Sequence, residues 1–120
     1  MTELPDILHR RIDALSLYRK GEGLTLGKLV STPDREDLFG HDDPFESRLT
    51  IVNTVLSEQE LSLFALANAL NISESPSTDN LMGRRADFLK KFQMSMRTLT
   101  TREEEGVQVA AYLLPRFINK

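Results

Sequence analysis

"FQMSMRTLTTREEEG", Phe92 to Gly106, decides how the C-terminal half of this chain folds. Phe92 and Met94 stand either side of Gln93, and Leu99 follows about one turn into the next segment. That spacing predicts two helices pinned across a short turn, "QMS", with Ser95 as N-cap of the second helix. The expected packing turns Phe92, Met94 and Leu99 inward. It turns Met96, Arg97, Thr100 and Thr101 outward on the first turns of that helix, beside Ser95 and Thr98. Such a face suits nucleic acid: arginine bonds a guanine edge bidentately, and threonine bonds phosphate or touches a thymine methyl. A helix N-terminus itself favours phosphate. Glu103, Glu104 and Glu105 are consecutive, so they fan around the helix rather than pair across a cleft. On a docked helix they must point away from the duplex or onto Arg102.

Upstream, "RRADFLKKF", Arg84 to Phe92, reads as the supporting helix. Between Arg84 and Arg102 the cations Arg84, Arg85, Lys90, Lys91, Arg97 and Arg102 face Asp87 alone, a local balance of +5. Phosphates attract to such a footprint, and a solvated basic helix face looks similar in sequence. The candidate DNA contacts are therefore Arg84, Arg85, Lys90, Lys91, Ser95, Met96, Arg97, Thr98, Thr100, Thr101 and Arg102.

This basic segment is unusual in its chain. Over 120 residues the net charge is −3, and residues 1–60 carry 7 Lys/Arg against 12 Asp/Glu. Residues 61–120 carry 8 against 6. With 40% hydrophobic and 28% charged residues the composition is that of a soluble globular protein. No apolar run approaches the roughly 20 residues a membrane span needs. Acids near the start argue against a signal peptide. Zero cysteines exclude disulfides and thiolate metal sites. The expectation is one cytoplasmic domain without a membrane segment.

The periodicity is helical almost throughout. Leu4, Ile7, Leu8, Ile12 and Leu15 repeat at threes and fours, with Pro5 in the first turn and Gly21 and Gly23 closing the helix. Leu24 to Val30 is one or two helical turns. Residues 31–43 form a loop in which Asp34–Phe39 can make a single turn. Asp43, Pro44 and Glu46 are a helix start, with Phe45, Leu49, Val52, Val55 and Leu56 as its apolar stripe. Ser57 and Glu60 form a capping box for a helix carrying Leu61, Phe64, Ala65, Ala67 and Leu70. "NISESPSTD", Asn71 to Asp79, is a linker. A helix from Asp79 carries Leu81, Phe88, Leu89 and Phe92. The last carries Leu99, Val109, Ala110 and Leu113 until Pro115 stops it. No β-type alternation runs beyond a few residues. The fold class is all-α, a compact bundle of five or six helices. Residues 1–56 form an acidic half, and 57–120 a second half with the helix-turn-helix at 84–113.

No catalytic constellation appears. His9 and His41 are the two histidines. His41, Asp42 and Asp43 are adjacent on a loop, where three side chains rarely converge on one ion, and Asp43 serves better as a helix cap. "GEG" at 21–23 lacks the strand and third glycine of a phosphate-binding turn. The expectation is no enzyme, no cofactor and no metal.

Two resemblances bear on the helix-turn-helix. "LANALNISESPSTDNL", Leu66 to Leu81, is similar to the motif of the GntR regulators through Leu66, Ala67, Leu70, Ile72, Ser73, Pro76 and Leu81. It departs where Ser77 and Asn80 replace buried apolar residues. "S-x-R-T-L-x-x-R-E-E-E-G", Ser95 to Gly106, resembles the turn of small bacterial helix-turn-helix regulators, and "RRADFLKKF" and "ALSLYRKGEGLTLGKL", Ala14 to Leu29, resemble other parts of them. Gln93 stands where such turns often use glycine, and Leu89 where a small residue is usual. The resemblance implies a transcriptional regulator that binds duplex DNA. The low basic charge then implies a homodimer or a protein partner. The rival expectation is a helical interaction module, docking a partner through Phe45, Leu49, Val52 and Leu56 or through the tail "VAAYLLPRFI".

Overall fold

The computed structural model describes residues 4–72 and 76–114. Among these the chain is helical without strands. Five helices have ten residues or more: α1 (Leu4–Tyr18), α4 (Pro44–Val55), α5 (Leu61–Leu70), α6 (Leu81–Phe92) and α7 (Met96–Leu113). Two five-residue helices, α2 (Leu26–Val30) and α3 (Arg35–Phe39), fill the acidic half. The all-α expectation holds, and Asp34–Phe39 does form a turn of helix. Pro115 lies outside the described residues.

The hub is the pair α5 and α7, which pack along each other more extensively than any other two elements. Gly106 permits the approach: a Cβ there would sit 2.3 Å from the Ser62 carbonyl oxygen and 2.9 Å from Leu66 Cβ. Around this pair lies the main core, with Leu63, Leu66 and Leu70 of α5 against Val107, Ala110 and Leu113 of α7. Leu15 and Tyr18 of α1, Leu29, Phe39, Ile51 and Val55 complete it. α1 and α4 pack on one part of α7, and α6 packs on α5 and α7.

The ends of the helices follow from local chemistry. Gly21 and Gly23 take positive φ after α1, and the Leu24 N–H donates to the Leu70 carbonyl at 2.8 Å, tying this turn to the end of α5. Asp43 caps α4 by accepting from the Phe45 N–H at 2.9 Å, with Pro44 at the first position. The capping box expected at Ser57 and Glu60 is not formed. Ser57 Oγ instead donates back to the Thr54 carbonyl at 2.7 Å, and α5 starts after Glu60 without a side-chain cap. Asn71 ends α5 in the left-handed region, φ 59°. Its side chain then grips the linker, donating to the Ser77 carbonyl at 2.8 Å and accepting from the Ser77 N–H at 2.7 Å. Residues 76–80 consequently run without helix, and α6 begins at Leu81 behind the N-cap Asn80. The GntR-like register, which needs a recognition helix across these positions, is not formed; Ser73 of that motif lies outside the described residues.

The largest departure concerns α4. Its buried residues are Ser47, Thr50, Ile51, Thr54 and Val55. Phe45, Leu49 and Leu56 are 69%, 53% and 54% exposed, and Val52 is half-buried. Of the expected stripe only Val55 enters the core fully. Two of the buried hydroxyls on this small side find a carbonyl at hand. Thr54 Oγ1 donates to Thr50 O at 2.7 Å, and Ser47 Oγ to His41 O at 2.9 Å.

Replacing Gly106 by alanine should separate α5 from α7 or bend α7. The ~1 kcal/mol gained in helix propensity is outweighed by overpacking, for a net loss of about 1–2 kcal/mol. Urea denaturation followed by circular dichroism reads this as a lower midpoint at unchanged slope.

Candidate nucleic-acid interface

α6 and α7 are joined by the turn Gln93–Ser95. Gln93 takes the left-handed conformation, φ 48° and ψ 56°, at the position where glycine is often found. Its N–H donates to the Leu89 carbonyl at 2.9 Å, which closes α6. Ser95 caps α7: its Oγ accepts from the Thr98 N–H at 3.1 Å and lies 2.9 Å from Thr98 Oγ1. Leu99 is fully buried with Phe88 and Ala65, and Leu61, Leu89, Met94 and Met96 pack around them. Met94 and Leu99 thus pin the turn.

Three positions differ from the expected inward and outward sets, Thr100 among them, half-buried where it was expected outward. Phe92 is 45% exposed; it stacks on Phe88 at 4.3 Å between ring centroids but covers the cluster from outside. Met96, expected outward, is half-buried against the same cluster. An unbranched apolar chain at the first helical position folds back over Leu99's surroundings rather than into water.

Arg97, Thr98 and Thr101 are exposed on the first turns of α7, and Thr100 is half-buried. The hydroxyls of Thr100 and Thr101 both donate to the Arg97 carbonyl at 3.0 Å, which holds each side chain close to the helix. Lys90 and Lys91 are exposed in the last turn of α6. Ser95 is exposed between them and Arg97.

The remaining candidates are engaged elsewhere. Arg84 is buried, 2% exposed, and its guanidinium donates to five backbone carbonyls. Those of Asn68, Ala69 and Asp79 lie 3.1, 2.8 and 2.8 Å away. Those of Arg19 and Gly21 lie at 2.9 and 2.7 Å. Four of these carbonyls lie at or just past the ends of α1 and α5, and the fifth, Asp79, lies just before α6. Arg84 therefore has no donor to offer a phosphate, and burial lowers its pKa from the ordinary arginine value. Arg85 forks onto Glu103, Nε to Oε2 at 2.9 Å and Nη2 to Oε1 at 2.7 Å. That hydrogen-bonded pairing raises the Arg85 pKa. Arg102 is half-exposed and pairs with Glu105 at 3.0 Å. The basic footprint of the sequence shrinks to Lys90, Lys91 and Arg97.

The glutamates also divide. Glu103 has no exposure at all, and Arg19, just past the end of α1, joins Arg85 on it at 2.9 Å. Glu104 and Glu105 face water. One structural residue was missed outright: Arg11 is buried, donating to Leu38 O at 2.7 Å and Ala111 O at 3.2 Å, and burial alone lowers its pKa to about 10. A signal for it existed. Arg11, Arg84 and Glu103 each occupy an apolar-stripe position of their helix, as Leu99, Glu103, Gly106, Val107 and Ala110 illustrate on α7.

Among the described residues no group of three His, Cys, Asp or Glu is arranged to hold a metal ion. No helix there is long and apolar enough to cross a membrane. Comparison of the chain with known protein families, curated proteins and solved structures returned no match.

Two substitutions probe this geometry. Gln93→Gly should raise stability by about 0.5–1 kcal/mol, because glycine enters the left-handed region without a Cβ penalty; a thermal melt measures it. Glu103→Ala leaves two guanidinium groups facing a vacated pocket and should lower stability by about 3 kcal/mol in the same melt.

Proposed function

We propose that this chain binds duplex DNA as a helix-turn-helix transcriptional regulator, with α6 as supporting helix and α7 as the reading helix. The observation that carries the proposal is the Ser95-capped N-terminus of α7. It exposes Arg97, Thr98 and Thr101 beside Lys90 and Lys91, while Glu103 is turned inward and Glu105 is paired with Arg102. Arg97 suits a guanine edge, and Thr98 and Thr101 suit phosphate or a thymine methyl. Lys90 and Lys91 neutralise backbone phosphates. Glu104 stands two turns beyond Arg97 on a similar heading, so the contact is confined to the first two turns of α7. Arg84 and Arg85 are excluded from it, since their guanidinium groups serve the fold.

The rival is a helical interaction module that binds no nucleic acid. It is favoured by one observation, the exposed apolar side of α4.

A salt series on random duplex decides between them. Three phosphate-facing cations give a slope of log K against log salt of about −3. Lys90→Ala/Lys91→Ala/Arg97→Ala should flatten that slope toward zero while leaving the circular dichroism spectrum unchanged. Absence of binding at low salt, or a slope the triple variant does not alter, would sink the DNA proposal and leave the interaction module.

A further inference from the structure

A polar cleft of about 390 Å³ opens where the turn after α1, the end of α5 and the segment 76–79 meet the side of α4. That volume lies within the ~300–1,000 Å³ range of small-molecule sites. Hydrogen bonds to the backbone fix three of its walls to one another. The Leu24 N–H donates to the Leu70 carbonyl at 2.8 Å. Asn71 Nδ2 donates to the Glu22 carbonyl at 3.1 Å and to the Ser77 carbonyl at 2.8 Å, and its Oδ1 accepts from the Ser77 N–H at 2.7 Å. The frame of the cleft is thus set without spending the charged side chains that line it.

Arg48, Glu22 and Asp79 are those side chains. Arg48 is half-buried, and among the described residues its guanidinium has no hydrogen-bond or ion-pair partner. The carboxylates of Glu22 and Asp79 are exposed and equally without such partners. Lys28 acts on Glu22, and Arg84 on Asp79, through the field alone. Lys28 donates instead to the carbonyls of Tyr18, Lys20 and Gly23, and Arg84 to its five carbonyls. Arg48 closes on neither carboxylate, so positive and negative groups stand apart within one cleft.

We infer that this cleft binds a small zwitterion of the amino-acid class, its carboxylate on Arg48 and its ammonium on Glu22 and Asp79. An arginine fork takes a carboxylate bidentately, and an ammonium has three donors to share between two carboxylates. A lone anion would meet two carboxylates beside its arginine, and a lone cation would meet Arg48. Only a ligand carrying both charges is complementary to the whole cleft. Both contacts are partly solvated, so the dissociation constant is on the order of 1 mM. The inference goes beyond the DNA reading and does not rest on it, since none of its residues belongs to the patch of Lys90, Lys91 and Arg97.

Amide NMR of the full chain, titrated with glycine, β-alanine and 4-aminobutanoate, tests the inference, because the three keep both charges and vary their separation. The best of them should shift the Thr25, Asn71, Ser77 and Thr78 amides and saturate with a dissociation constant on the order of 1 mM. Acetate and methylammonium, each carrying one of the charges, should bind at least about tenfold more weakly. Arg48→Gln should abolish saturation with unchanged helix content, and Glu22→Gln/Asp79→Asn should do so from the side of the other charge. The triple variant Lys90→Ala/Lys91→Ala/Arg97→Ala should bind as the wild type does, which keeps failure of this site apart from failure of DNA binding. The proposal is overturned if none of the three saturates by about 50 mM, if acetate or methylammonium equals the best zwitterion, or if Arg48→Gln binds unchanged.

Discussion

A carboxylate with no solvent exposure holds this fold in register. Glu103 of α7 takes Arg19 from the turn after α1 and Arg85 from α6, at 2.9 and 2.7 Å. Next to it Arg84 collects carbonyls from the ends of α1 and α5 and from Asp79. Buried charges are costly to strand, so a displacement of any one of these helices leaves a charge or several carbonyls without partners. The acidic and basic halves are thereby welded into one unit. Removing the cations from the surface is a consequence of the same network, and it shapes what the protein can bind.

The local balance of +5 between Arg84 and Arg102 overstates the available field. Of its six cations Arg84 is buried, Arg85 is held on Glu103 and Arg102 is paired with Glu105. What remains is compact: two lysines ending α6 and one arginine opening α7. This positive patch is confined to one capped helix N-terminus and the helix end before it. Helix α4 divides its faces in an unusual way. Its hydroxyl-rich side faces the core, and Phe45 and Leu49 face water.

How much of this was legible beforehand depended on the kind of signal. Helices with apolar residues at threes and fours, the Asp43–Pro44 start, the glycines after α1 and the turn at Gln93–Ser95 were readable because each is decided by neighbouring residues. Ser57 and Glu60 misled because two backbone-directed side chains competed, and Ser57 found the Thr54 carbonyl first. Asn71 was decisive in the linker, where its side-chain amide reaches Ser77 and stops a helix from forming across 76–80. Sequence spacing alone does not say which carbonyl a side chain will meet.

By itself the sequence determined that this protein is all-helical, where its main helices lie, and that a Ser95-capped helix follows a tight turn. Periodicity and capping act over four or five residues, so local chemistry suffices for them. Tertiary structure decided which charges are surface and which are core, and which face of α4 is inside. A helix with apolar residues on both sides has no preferred orientation until its neighbours are present. An arginine or glutamate on an apolar stripe becomes internal only when distant groups, such as the α1 and α5 carbonyls or Arg19, arrive to satisfy it.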